Sequence, residues 1–267
     1  MPLIHLFLVA IIQGLTEFLP VSSSAHLILL PNLTGLQDQG QTIDVAVHVG
    51  TLIAVMVYFW SDIRLAILGI PRLLIGKTDT EGARLALLLT VASVPVVAFG
   101  LVLHMTGLDA EMRSITVIGW AMLIFGLLLY WSDQAGGTQK TDRDWTLQDA
   151  MVMGVWQAIA LIPGTSRAGI TITGARFMGY SRHDSAKLAM LMSIPTIAAS
   201  GALLGLESVL TTNTAILKDA LIAAILACAA ALLALSLMMR LLRSVSFTPY
   251  VIYRIVLGVV LLVIAYT

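Results

Sequence analysis

Charged residues, cysteine and any excess of charge of one sign are scarce in this chain of 267 residues. Only 11% of the residues are charged, far below the roughly 25% of a soluble domain. In contrast, 58% are hydrophobic and the mean hydropathy is +0.95, so we predict an integral membrane protein. The net charge of zero gives no electrostatic footprint for nucleic acid. The single cysteine, Cys228, excludes a disulfide within the chain and is expected to be a packed core thiol.

The hydrophobic residues form long unbroken runs instead of the alternation of a membrane barrel, which predicts an all-α polytopic membrane protein. The first apolar stretch lacks a basic leader and contains Gln13 and Glu17, so a cleaved signal peptide is not expected. Runs close to the roughly 20 residues of a spanning helix predict six full transmembrane helices, at about 43–60, 84–103, 114–131, 184–205, 216–240 and 248–266.

Two further apolar segments, residues 2–31 and 148–178, are interrupted near their middles. Pro20 lies in the first segment and Pro163-Gly164 in the second. Proline lacks a backbone N–H and clashes with the preceding helical turn. Each segment is therefore expected to be two short helices that meet at a polar turn, which gives about ten helices in total.

Basic residues gather in alternate loops, and the positive-inside rule predicts that these loops are cytoplasmic. With that topology each broken segment enters and leaves the membrane on one side: the first on the outer side and the second on the cytoplasmic side. We therefore expect two re-entrant helix pairs from opposite faces of the membrane. The basic residues are Arg64, Arg72, Lys77, Arg84, Lys140, Arg143, Arg176, Arg182, Lys187, Arg240 and Arg243.

The resulting pattern is an inverted-topology repeat within a single membrane domain, residues 1–267. Its halves cover about 1–131 and 148–267, joined by a cytoplasmic loop at 132–147, and each is a broken segment followed by three spans. Inverted repeats with discontinuous helices place their binding site near the membrane midplane. We therefore expect the two breaks to meet at a shared polar site.

The two breaks resemble each other in sequence as well as in position. Aligning Pro20 with Pro163 pairs Ser22 with Thr165, Ser23 with Ser166 and Ala25 with Ala168. The similarity is short, so the predicted topology carries more of the argument than the alignment does.

The first break carries groups suited to phosphoryl transfer. Gln13 and Glu17 are four residues apart, so they share a helix face, and their oxygens suit a divalent cation, Mg²⁺ or Ca²⁺. Ser23 and His26 provide a nucleophile with a base, or His26 attacks phosphorus directly while Ser23 orients it. Ser22 is placed to cap the second half-helix.

The second break carries groups suited to holding an anion. Thr165 or Ser166 can cap a helix whose free N–H groups face the break, Arg167 adds a bidentate donor, and Thr171 lies on the same face. Helix N-termini and arginine both favour phosphate. A structural ion pair between Arg167 and Glu17 is the competing interpretation, and a phosphatase could contain both.

These motifs resemble those of the bacitracin-resistance type undecaprenyl-diphosphatases over essentially the whole chain. The Gln13-x-x-x-Glu17 motif followed by Ser23-Ser-Ala-His26 resembles that family's Glu/Gln-x-x-x-Glu and Ser-Ser-x-x-His motifs. Pro163-Gly-Thr-Ser-Arg-Ala-Gly-Ile-Thr171 resembles its Pro-Gly-x-Ser-Arg-Ser-x-x-Thr motif. A third match is the segment from Pro249 to Arg254.

The resemblance implies a homodimeric, multi-pass enzyme of the bacterial inner membrane. Such an enzyme removes one phosphate from a C55 isoprenoid diphosphate on the periplasmic side, in contact with membrane lipid and with a divalent cation, Mg²⁺ or Ca²⁺. The implied residues are Glu17, Ser23, His26 and Arg167 for catalysis, Ser22, Ser166, Arg167 and Thr171 for phosphate binding, and Gln13 and Glu17 for the metal.

Two residues depart from the family pattern. Ala25 stands where the family usually has glycine, and Ala168 replaces the second serine of Ser-Arg-Ser, which removes one hydroxyl from the anion site. Gln13 is a permitted variant, but it supplies one fewer negative ligand to a metal.

A transporter or flippase of a phosphorylated isoprenoid lipid or another anion is the alternative function, since broken helices in inverted repeats are a transporter architecture. Transport needs the anion site but neither Ser23 nor His26 as a reactant. Outside the motifs, His48 is expected to form a polar packing pair with Asp44, and Arg254 is expected to have a structural role and to extend to the cytoplasmic surface.

Overall fold

The computed structural model describes residues 2–35, 39–108, 112, 114–211 and 214–267, with side chains except those of 32–34, 203–211 and 214–215. Within these residues the protein is all-helical, with 82% helix and no strand, which confirms the prediction of an all-α protein.

The first half of the chain contains six described helices on either side of the first break. They are α1 (Leu3–Thr16), α2 (Ser23–Thr34), α3 (Gln41–Tyr58), α4 (Trp60–Leu74), α5 (Glu81–Thr106) and α6 (Ile115–Ala135). The helices of the second half are α7 (Leu147–Ala158), α8 (Arg167–Phe177), α9 (Arg182–Thr211), α10 (Thr214–Leu241) and α11 (Thr248–Tyr266).

Five helices of the described chain are long and apolar enough to cross a membrane: α3, α5, α6, the Ile216–Leu241 part of α10, and α11. They confirm five of the six predicted spans. The predicted span at 184–205 lies in α9, which is 30 residues long but carries Asp184 and Lys187 near its start. It is not among the five, so the sixth span stays a prediction.

One helix and one buried arginine differ from the sequence interpretation. Helix α4 occupies a segment that the sequence interpretation assigns to a basic loop. It has 15 residues and carries Asp62, Arg64 and Arg72, so it does not form a spanning run of roughly 20 apolar residues. Arg176 was counted as a loop charge, but it is buried in α8, where its Nε lies 3.4 Å from an oxygen of Asp133. This ion pair fastens the end of α6 to the second half.

Both predicted helix breaks are present. The first separates α1 from α2, and the second separates α7 from α8 after a short 3₁₀ turn at Ile159–Leu161. The residue before each second helix is a serine in the left-handed region, Ser22 with φ +70° and Ser166 with φ +69°. In the described residues these are the only non-glycine residues with positive φ. The backbone therefore matches Ser22 with Ser166, one residue away from the pairing obtained by aligning the prolines.

The halves pack together through small residues. Helix α10 lies against both α1 and α3, α7 lies against α5, and α6 lies against α11. At Gly50 of α3 a Cβ atom would lie only 2.2 Å from the carbonyl oxygen of Ala224, and at Gly14 of α1 2.6 Å from that of Ala227. Such close contacts between backbones are typical of helix packing in membranes.

Adding one methyl group at Gly50 tests this packing. Gly50→Ala is expected to destabilise the protein by about 1–3 kcal/mol, since the blocking atom belongs to backbone and cannot move away easily. Gly201→Ala in α9 is the matched control, because no atom lies within 4 Å of its added Cβ. Thermal unfolding in detergent should show a lowered midpoint for Gly50→Ala only; equal midpoints would contradict the packing argument.

Candidate active site

A cavity of about 150 Å³ lies where the two helix breaks meet, as the sequence predicts for a shared polar site. The first break contributes most of its hydroxyl groups, the second contributes a guanidinium, and α3 contributes an imidazole. The lining residues are Glu17, Ser22, Ser23, Ser24, His48, Ala160, Ser166 and Arg167.

The carboxylate of Glu17 is the centre of the site. Its side chain is only 4% exposed, so its charge needs partners. Arg167 donates from Nη2 to Oε1 at 2.9 Å, while Ser23 and Gln13 donate to Oε2 at 2.7 and 2.8 Å. The competing interpretation of an ion pair between the breaks is therefore correct as structure. The carboxylate of Glu17 brings together four residues predicted for catalysis or metal binding: Gln13, Glu17, Ser23 and Arg167.

His26 is held by groups other than Ser23. Its Nδ1 lies 2.7 Å from the carbonyl oxygen of Ser22, and because a carbonyl only accepts, Nδ1 carries the proton. In the neutral ring Nε2 then accepts from the hydroxyl of Tyr253 at 2.5 Å. The rings of His26 and Tyr253 also stack at 5.6 Å between centroids. Both ring nitrogens of His26 are thus occupied, and the hydroxyl of Ser23 bonds Glu17 instead. The expected hydrogen bond between Ser23 and His26 is not formed.

His48 lines the cavity in addition to pairing with Asp44 as expected. Its Nδ1 donates to the backbone carbonyl of Asp44 at 2.7 Å, so Nε2 faces the cavity and lies 3.8 Å from Oε2 of Glu17. Sequence reasoning missed this arrangement because it depends on how α3 packs beside the first break. Tyr253 was missed for the same reason, although it lies inside the third matching segment.

The predicted phosphate-binding residues occupy different environments. The hydroxyl of Ser166 caps α8 by accepting from the N–H of Gly169 at 3.1 Å. Ser22 lies at the corresponding position before α2, but its hydroxyl contacts Ser24 at 3.1 Å and caps nothing, so the expected cap is wrong. Thr171 is fully buried and does not line the cavity.

Several buried polar atoms near the breaks have no hydrogen-bond partner within the described chain. They are Nη1 of Arg167, Oε1 of Gln13 and the hydroxyls of Thr165 and Thr171. Buried polar groups are normally satisfied. An unpaired guanidinium nitrogen beside a cavity fits a site that receives an anionic ligand.

The same observation tests the fit of a divalent cation. Oε1 of Gln13 is a free oxygen donor one helical turn from the carboxylate of Glu17. The described residues contain no group of three or more His, Cys, Asp or Glu side chains placed to hold a metal. These donors therefore fit a hard cation that keeps waters or takes phosphate oxygens, as Mg²⁺ often does.

Arg254 fastens the two breaks to each other. It is completely buried, so the expectation that it reaches the cytoplasmic surface is wrong. Its guanidinium donates only to backbone carbonyl oxygens, two of them on α6 and the others at the breaks. They are Met122 at 3.3 Å, Ala121 at 3.4 Å, Pro20 at 3.3 Å, Thr165 at 2.8 Å and Gly164 at 3.1 Å.

Removing this guanidinium should loosen both breaks. Arg254→Met is expected to cost about 3 kcal/mol, since buried carbonyls that lose their donor cost about 1–3 kcal/mol each and part of the loss relaxes. Arg254→Lys should recover only part of the stability, because an ammonium cannot reach carbonyls on three segments. Thermal unfolding measures the effect, with Arg143→Met, an exposed arginine, as control. A midpoint for Arg254→Met equal to that of the control would contradict the role.

Comparison with known proteins identifies a family for the chain. The family model described as "Bacitracin resistance protein BacA" matches residues 6–260. The chain is similar to proteins named undecaprenyl-diphosphatase from Jannaschia sp. (strain CCS1), 64% identical over 266 residues, and Ruegeria pomeroyi, 66% identical over 267, both covering 100% of each chain. It is also similar to "Undecaprenyl-diphosphatase 1" of Rhodospirillum rubrum, 45% identical over 273 residues, covering 100% of this chain and 96% of the relative.

Proposed function

This chain belongs to the bacitracin resistance protein family, and we propose that it is an undecaprenyl-diphosphatase. It hydrolyses undecaprenyl diphosphate to undecaprenyl phosphate and inorganic phosphate, which returns the lipid carrier to cell-wall synthesis. The observation that carries this proposal within the structure is the carboxylate of Glu17, which joins the hydroxyl of Ser23 to the guanidinium of Arg167 in one cavity.

The second break binds the diphosphate. Nη1 of Arg167 has no partner in the described chain and points to a role as a donor to phosphate oxygens, while Nη2 stays on Glu17. The N–H groups in the first turn of α8 that the Ser166 cap leaves free add positive potential. In phosphoryl transfer, fixed positive groups of this kind provide most of the catalysis.

Ser23 is the proposed nucleophile, with Glu17 as its base. Oγ of Ser23 attacks the terminal phosphorus, its proton passes to Oε2 of Glu17, 2.7 Å away, and the bond from phosphorus to the bridging oxygen breaks. The electron pair of that bond leaves with the lipid monophosphate. Water then attacks the phosphoserine, the Ser23 oxygen leaves with the proton from Glu17, and both protons of the water stay on the released phosphate as H₂PO₄⁻.

His26 is assigned a positioning role. Its Nε2 is engaged by Tyr253 and its ring is not among the residues that line the cavity, whereas Ser23 lines the cavity. By holding the carbonyl of Ser22, the imidazole stabilises the turn that presents Ser23. Direct attack by His26 would first require the hydrogen bond to Tyr253 to break.

Gln13 and Glu17 are the residues proposed to hold a divalent cation, Mg²⁺ or Ca²⁺. When bound, such a cation neutralises charge on the diphosphate and offsets its repulsion by the carboxylate. The free Oε1 of Gln13 supports this assignment.

Three substitutions test the catalytic assignment. Ser23→Ala, Glu17→Gln and Arg167→Ala should each lower kcat by about 10²–10³ or more, since each removes a reacting group or a fixed donor to the transition state. Phosphate release from C55 diphosphate in detergent is the measurement. Ser24→Ala is the matched control, because its hydroxyl lines the same cavity but bonds only Ser22.

A labelling experiment with the same proteins identifies the nucleophile. A substrate labelled in its terminal phosphate should leave acid-stable label on wild-type protein after rapid quenching, and Ser23→Ala should leave none. Acid-labile label that persists in Ser23→Ala would assign attack to His26. Near-normal hydrolysis by Arg167→Ala would refute the site itself.

The two halves form an inverted repeat whose breaks are re-entrant. The equal left-handed backbone at Ser22 and Ser166 supports this proposal. So does the reciprocal packing, in which α1 lies on α10 as α7 lies on α5, and α3 pairs with α9. The resemblance to the family further supports a homodimer and an isoprenoid tail that lies along the bilayer side of the site.

The cavity opens to the periplasm. The basic loops, including Arg143, lie at the other end of the spans and are cytoplasmic by the positive-inside rule, while His48 is in the half of α3 that precedes those loops. Ser24 lines the cavity and is exposed, so a probe placed there reports which side of the membrane reaches the site.

Cysteine labelling tests this orientation. In a Cys228→Ala background, Ser24→Cys should react with a membrane-impermeant maleimide in intact spheroplasts, whereas Arg143→Cys should react only after permeabilisation. Gel-shift labelling gives the readout. The reverse pattern would place the active site on the cytoplasmic side.

A further inference from the structure

A second cavity, of about 480 Å³, lies away from the active site. It is bounded by the end of α3, the start of α9 and the last turns of α10. Tyr58 in its wall is ten residues along α3 from His48, about 15 Å of helix axis. Its lining residues are Tyr58, His183, Leu233, Ser236, Leu237, Met239, Arg240 and Arg243.

The polar part of this cavity is cationic. Arg240 and Arg243 are exposed, and neither guanidinium has a hydrogen bond or ion pair to any residue that the structure describes. Among the described residues no carboxylate lines the cavity; Asp184 lies beside it, 3.7 Å from Nδ1 of His183. The two arginines therefore have no counter-ion within the described part of the chain.

Several other cations at the same end of the spans are paired. Arg182 lies 2.7 Å from Asp133, Arg72 lies 2.6 Å from Asp79, and Lys187 contacts two carboxylates. Arg64, Lys77 and Arg143 have no ion pair to a described residue either, but they do not line this cavity. Two neighbouring arginines in a concave surface favour a doubly liganded phosphate, which guanidinium groups bind bidentately.

The apolar part of the cavity lies on the membrane side. Leu233 and Leu237 are 67% and 54% exposed, and their spacing places them on the same face of α10 as Arg240. The candidate span of α10 ends at Leu241, so the leucines lie at the level of the hydrocarbon and the arginines at the level of the headgroups. This order of apolar and cationic groups matches that of a lipid with an anionic headgroup.

We propose that this cavity is a binding site for an anionic phospholipid. The phosphate lies between Arg240 and Arg243, and an acyl chain follows Leu237 and Leu233 along α10. The site is separate from the catalytic cavity and requires neither turnover nor the diphosphate substrate.

Lipid titration of the purified protein tests this proposal. Arg240→Gln/Arg243→Gln is compared with wild type and with the control Arg64→Gln/Arg143→Gln, which removes the same charge from two exposed arginines outside the cavity. Native mass spectrometry measures binding of phosphatidylglycerol, phosphatidylcholine and inorganic phosphate. Retained diphosphate hydrolysis by both double variants shows that they are folded.

Wild type and control should bind phosphatidylglycerol in preference to phosphatidylcholine. The Arg240→Gln/Arg243→Gln variant should bind it about thirtyfold more weakly, the product of two arginine contacts at an anionic surface. Equal affinity in both double variants, or equal affinity for both lipids, would overturn the proposal. Saturable binding of inorganic phosphate that competes with the lipid would also contradict the proposal, because the cavity would then be a site for a free anion. Loss of the dimer mass only in the Arg240→Gln/Arg243→Gln variant would contradict it as well, because the cavity would then be a contact between protein chains.

Discussion

The ion pair between Glu17 and Arg167 is the interaction on which the site depends. The two residues are 150 positions apart in the chain, and each comes from a break in a different half. A carboxylate that is 4% exposed is tolerated only with a charged partner and further hydrogen bonds, and loss of one partner of such a pair typically costs about 3–5 kcal/mol. This requirement fixes the distance between the two breaks, and with it the distance between Ser23 and the guanidinium.

The breaks themselves require a second interaction, a hydrogen-bond donor for their backbone carbonyls. A helix that stops inside apolar surroundings leaves backbone carbonyls without partners, and in this protein the donors come from one side chain. Arg254 reaches the carbonyls of Pro20, Gly164 and Thr165, so the two turns are joined by a buried cation that pairs with no carboxylate of the described residues. Arginine suits this task because its five N–H groups point in several directions at once. The pocket is thus stabilised by two contacts. Arg254 holds the backbone of both breaks, and the ion pair joins two side chains that line the cavity.

Local signals in the sequence predicted most of the fold. Long apolar runs located α3, α5, α6, α10 and α11, and proline located both breaks. Sequence reasoning missed α4, which is shorter and more charged than a spanning run. It did not place His48 and Tyr253 at the site and it expected Arg254 to reach the surface, since the contacts of these residues join segments far apart in the chain. Their partners depend on tertiary packing, which residue spacing does not encode. The motif residues Glu17, Ser23 and Arg167 were found because their spacing is local to each break.

The one-residue change in the pairing of the halves alters the interpretation of the site. With Ser22 matched to Ser166, the first helical residue after each left-handed serine is Ser23 in one half and Arg167 in the other. Both contact Glu17, so the same backbone turn delivers a hydroxyl from one side and a cation from the other. In the proposed mechanism the serine supplies the nucleophile and the arginine supplies the counter-charge of the buried carboxylate. The carboxylate itself has no counterpart in the other half, since the same pairing places Leu161 opposite Glu17. The asymmetry of the site therefore depends on two pairs of positions, Glu17 with Leu161 and Ser23 with Arg167.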